Sequence, residues 1–78
     1  MDIFAICDSI EKAVGLRLSG VKSVVLTNKV QLLEEINNKI EKNDIGIIAI
    51  SEALYNMVEE EIKKITTKVN IPLIVKIP

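Results

Sequence analysis

Histidine and tryptophan are absent from this chain, and cysteine, tyrosine and phenylalanine each occur once. Without histidine there is no imidazole to serve as a general base or a metal ligand. A single thiol among scattered carboxylates is a poor metal set. Cys7 stands alone, so an internal disulfide is excluded. Phe4 and Tyr55 are too few aromatics for a base-stacking platform. Charge of one sign is lacking as well: 10 basic and 11 acidic residues leave a net charge of −1, unlike the footprint of a nucleic-acid binder. The longest apolar run, within Ile45–Ile50, falls far short of the roughly 20 residues that span a bilayer. Met1 is followed by Asp2 without a basic leader, so no signal peptide is expected. The expectation is one cytoplasmic domain over residues 1–78, with no catalytic, cofactor or metal site, no nucleic-acid partner and no membrane insertion. A chain this short buries only about 60–65% of its unfolded surface. With disulfide and metal excluded, a protein partner is the remaining source of extra stability.

What is present is organised around Asp44–Glu52. From Ile45 to Ile50 every residue is apolar or small, which predicts a strand covered on both faces, as in a parallel sheet under helices. Asn43 and Asp44 precede it, and Ser51 is placed to cap a helix with Glu52 in its first turn. Ile3–Cys7 reads as a second buried strand. Asp8 or Ser9 then opens a helix, Asp8 with Glu11 resembling a capping box. Ile10, Ala13, Val14 and Leu18 fall at helical spacing, and Gly20 sits where a C-terminal glycine stop belongs. Gly15 in that helix is expected to mark close packing or a bend. Lys22–Leu26 is a short strand. Thr27 or Asn28 caps a second helix, with Gln31 able to complete the box, and its stripe is Val30, Leu33, Ile36 and Ile40. A third helix from about Glu52 to Thr67 carries Leu54, Val58, Ile62 and Ile65. Glu59–Glu61 and Lys63–Lys64 read as its solvated face. Asn70, Ile71 and Pro72 turn into a last strand, Leu73–Ile77, where Lys76 suggests an edge.

The pattern βαβαβαβ predicts a three-layer, Rossmann-like or flavodoxin-like α/β fold with a four-stranded parallel sheet. Strands 1 and 3 are the most apolar and belong in the centre, which gives the order 2-1-3-4 and helices on both faces. Ligands in such sheets bind beyond the carboxyl ends of the strands where the order reverses. The residues there are Cys7, Asp8, Ser9, Ser51 and Glu52. Two carboxylates follow strand 1 where a phosphate site needs glycines and free N–H groups. Ser51 occupies the place where a receiver domain needs its phosphorylated Asp. The remaining enzyme reading is a phosphocarrier using Cys7, although no small-residue phosphate cradle follows it and no imidazole is present to activate the thiol. A buried, structural Cys7 is the simpler expectation.

Three blocks of the sequence resemble a known family. Gly15-Leu16-Arg17-Leu18-Ser19-Gly20-Val21 resembles the G-F-R-L-A-G-[IV] signature of the F subunit of V-type and archaeal A-type rotary ATPases. Asp44–Glu52 resembles that family's DIGIILITE strand, and Ile71–Pro78 its PLIVEIP strand. Order and spacing match as well. The resemblance implies a non-catalytic component of the central stalk, peripheral to the membrane on the cytoplasmic side. It would bind the D subunit, the long coiled coil of that stalk, and contact the catalytic head. In that place it would couple rotation to ATP synthesis or hydrolysis and to proton or other ion transport. Family members continue past this last strand with a flexible segment and a C-terminal helix, whose contacts do not carry over to these residues. The motif places Arg17 between Leu16 and Leu18. Arginine flanked by large apolar residues suits an interface anchor, so Leu16 and Arg17 are interface candidates, with Leu18 read as core. Tyr55, which the third helix's stripe does not need, is another.

Overall fold

A computed structural model describes residues 2–42, 44–68 and 72–78. Strand β1, Asp2–Cys7, is followed by α1, Ile10–Leu18, and β2, Lys22–Val25. Next come α2, Lys29–Lys42, and β3, Ile45–Ser51. Two short helices, α3 at Glu52–Met57 and α4 at Glu59–Thr66, lead to β4, Leu73–Ile77. The four strands form one parallel sheet in the order β2-β1-β3-β4, the predicted Rossmann-like architecture. The turn expected at Asn70 and Ile71 lies outside the described residues.

Side chains alternate across the sheet, and the register lines up rows on each face. Phe4 and Ile6 of β1 match Ile48 and Ile50 of β3, and Ile74 of β4 matches Ile48. These large residues pack with Leu32 and Ile36 of α2, Leu54 of α3, Val58 between α3 and α4, and Ile62 of α4 in the main core. The opposite face is built from small residues. Ala5, Cys7 and Ala49 meet Ala13 of α1, bordered by Leu16, Val21, Val25, Val75 and Ile77. Thus α2, α3 and α4 cover one face, and α1 alone covers the other.

The ends of α1 follow local chemistry. Ser9, in extended conformation, accepts a hydrogen bond from the backbone N–H of Lys12, as an N-cap should. Asp8 takes no part in the expected capping box; it pairs with the Lys12 ammonium at 2.9 Å. At the other end Gly20 adopts φ 87°. Its N–H donates to the Arg17 carbonyl, and that of Val21 to the Leu16 carbonyl, both at 2.9 Å, which is a Schellman closure. Asn28 caps α2 through Oδ1, accepting from the N–H groups of Val30 and Gln31.

Four expectations are corrected. Of the α1 stripe only Ala13 is buried; Ile10, Val14 and Leu18 face solvent, Leu18 at 83% exposure, so Leu18 is not core. Residues four apart drift around a helix, and Val14 lies about 100° from Ala13. Small side chains in the sheet let α1 settle onto Ala13, which turns the larger residues outward. Gly15 has no neighbour within 4 Å of an added Cβ, so close packing against a strand does not explain it. In α2 the buried positions are Leu32 and Ile36, while Val30 is exposed. Finally, the single helix expected over Glu52–Thr67 is broken at Val58, which has φ −126° and ψ 22°. Val58 is fully buried at the break, and Glu59, Glu60 and Glu61 fall in the first turn of α4, where carboxylates favour the positive end of the helix.

Candidate functional site

The carboxyl ends of β1 and β3 bring Cys7, Asp8, Ser9, Ser51 and Glu52 together, as the topology requires. Their chemistry is quiet. Cys7 is fully buried. Burial, and then the Asp8 charge, raise its thiol pKa above the ordinary value despite Lys12 and Arg17. A thiol held neutral is a weak nucleophile. Asp8 is committed to Lys12, and that hydrogen bond is the main reason its carboxyl sits below the usual range. The Ser51 hydroxyl lies near enough to add slightly to this shift, but it has good hydrogen-bond geometry with no group. Ser51 occupies the N-cap position of α3 without its side chain capping the helix. Among the described residues no group of three or more Cys, Asp or Glu is arranged to hold a metal ion.

A shallow depression of about 350 Å³ lies elsewhere, between the C-terminal end of α1 and β2, lined by Arg17, Gly20, Val21, Lys22 and Ser23. Its wall is structural. The Arg17 guanidinium donates to the Ser23 carbonyl at 2.8 Å, and the Ser23 hydroxyl donates to the Ala13 carbonyl at 3.1 Å. These two bonds fasten α1 to the edge strand β2.

The three interface candidates do not form one patch. Leu16 is half-buried beside the small-residue core. Arg17 is exposed, with one nitrogen engaged on Ser23. Tyr55 is half-buried against the main core, with the Lys76 ammonium 5.0 Å from its ring centroid, a cation–π distance. Leu16 and Arg17 belong to α1 on one face, and Tyr55 to α3 on the other. The exposed apolar residues nearest Arg17 in sequence are Ile10, Val14 and Leu18. Sequence reasoning placed these in the core. The signal against that was the run of small residues on the odd positions of β1, Ala5 and Cys7, which calls for a close helix contact.

The sequence model of the ATP synthase (F/14-kDa) subunit matches residues 3–78. The chain belongs to this family. The match spans nearly the whole described fold. It bears out the resemblance of the Gly15–Val21, Asp44–Glu52 and Ile71–Pro78 blocks to the F subunit of V-type and A-type enzymes. No curated protein and no solved structure matches the chain. A member of this family is part of a multi-subunit rotary ATPase. None of the described helices is long and apolar enough to cross a membrane.

Proposed function

We propose that this F-family protein is a non-catalytic part of the central stalk. It binds the D subunit on the cytoplasmic side and helps couple rotation to ATP synthesis or hydrolysis and to ion transport. The observation that carries this reading is the family match over residues 3–78. The switch point supports it. A buried thiol of raised pKa and a carboxylate already paired with lysine are poor equipment for phosphocarrier chemistry at Cys7.

The proposed contact surface is the outer side of α1. Leu16 and Arg17 border it, Ile10, Val14 and Leu18 are exposed on it, and Gly15 leaves open space for a partner backbone. Tyr55 on α3 is a separate contact, on the other face of the sheet. The test is calorimetry with the D subunit from the same source. One-to-one binding, weakened at least tenfold by Val14→Glu and by Leu18→Glu, is expected. Gly15→Ala separates fold from contact: it raises the stability of the free chain and lowers affinity. Failure of the unaltered chain to bind the D subunit overturns the reading.

A further inference from the structure

Helix α1 is held to the sheet by little. Of its nine residues only Ala13 is buried, with Leu16 half-buried beside it. By contrast, α2 inserts Leu32 and Ile36, both fully buried. The surface under α1 is Ala5, Cys7 and Ala49, and burying small side chains removes little apolar area from water. Two side-chain hydrogen bonds add to this, from Arg17 to the Ser23 carbonyl and from Ser23 to the Ala13 carbonyl. Nor does the helix hold itself. An isolated helix shorter than about 12–15 residues is marginal in water, and Gly15 near its centre weakens it further. Both ends are suited to turning: Asp8 and Ser9 lie between β1 and α1, and Gly20 follows at φ 87°. Strand β2 does not depend on α1. It pairs with β1 along Phe4–Cys7, and Val24, with Leu26 just beyond the strand, packs against the main core on the other face.

From these features we infer that α1 is a hinged cover: it leaves the sheet and melts as one unit while the four strands and α2–α4 stay folded. It does so far more often than the whole chain unfolds, because an element with few buried contacts opens at a free energy below that of global unfolding. Cys7 lies under the cover, fully buried, so each opening bares one thiol. The device bears on recognition because α1 also carries the outer side named above. A partner that grips that side binds the docked helix and shifts the population toward it. The opening itself belongs to the free chain and stands or falls without the D subunit.

The test is the rate at which an aromatic disulfide reagent labels Cys7 in the free chain, followed against urea at fixed pH. At low urea the rate should be nearly flat, since the opening exposes little surface. At higher urea it should rise steeply as global unfolding takes over. Arg17→Ala and Ser23→Ala should each raise the flat part about fivefold, for the loss of one hydrogen bond. Gly15→Ala should lower it about threefold, because alanine favours the helix that melts on opening. Ile36→Val, in the main core, should accelerate only the steep part. Should Ser23→Ala fail to fold, Arg17→Ala carries that arm alone. Labelling that follows global unfolding down to zero urea, and that Ile36→Val accelerates throughout, overturns the proposal. A flat part unmoved by Arg17→Ala and by Gly15→Ala overturns it as well.

Discussion

The two faces of the sheet are built on opposite principles. The α2–α4 face relies on volume: Ile6, Ile48, Ile50, Leu32, Ile36 and Ile62 are buried almost completely and interlock across three helices. The α1 face relies on closeness. Alanines at 5, 13 and 49 and the thiol of Cys7 let one helix approach the strands, and polar bonds from Arg17 and Ser23 hold it there. Burying large apolar side chains yields about 1.5–3 kcal/mol each, so the first face supplies most of the stability. The second supplies less, and leaves Ile3, Leu73 and the outer side of α1 open to solvent. The buried volume that holds the fold together thus lies mainly on one side of a very small domain.

This division is broken most severely from the large-residue side. Ile50→Ala, at a fully buried position, is expected to cost about 3–4 kcal/mol. Chemical denaturation should show the midpoint falling steeply, with much of the chain unfolded at physiological temperature. On the close-packed side the sensitive direction is reversed. Ala13→Leu, also fully buried, should cost about 2 kcal/mol by overpacking. It should shift α1 off the sheet, visible as loss of amide protection in β1 and β2. Arg17→Ala removes a charge-assisted bond from a partly buried carbonyl and should cost about 1 kcal/mol on the same denaturation curve. Gly15→Ala, in open helical space, should stabilise by about 0.5–1 kcal/mol.

The smallest effect sharpens the same contrast through pH. The folded thiol of Cys7 has a raised pKa, chiefly from burial. Below the unfolded thiol's pKa both states hold the proton, and this contribution is constant. As pH rises between the unfolded and folded values, the unfolded chain loses its proton first and stability declines. The alkaline slope of unfolding free energy against pH should therefore shrink in Cys7→Val, and a slope unchanged by that substitution would remove burial as its cause.

Much of this was legible in the sequence for a simple reason. An uninterrupted apolar strand, Ile45–Ile50, can exist only between two covered faces, so β3 had to be central. Lysines at 22 and 76 marked strands that remain at the edges. Asn28, Ser9 and Gly20 announced the helix ends, because capping depends on the residue and its own backbone alone. The family blocks were equally visible, as they are written in residue identity. What periodicity misjudged was rotation. Ile10, Val14 and Leu18 make a regular stripe, but a stripe says only that residues share a side, not which side is inward. Ala5, Cys7 and Ala49 settled that by admitting Ala13, a tertiary effect of small side chains on neighbouring strands. The break at Val58 is a second case: local spacing continued the helix, while the backbone departs from helical geometry at this buried residue. Ser51 stood at the predicted cap position, but its hydroxyl was drawn into a buried setting without bonding the helix.

Sequence alone therefore determined the elements, the strand order and the family, since each follows from local chemistry or from the requirement that apolar strands be covered. Only the tertiary structure decided which side of α1 faces outward and where the last helix breaks. Those depend on side-chain volumes and hydrogen bonds between segments that the chain brings together only when it folds.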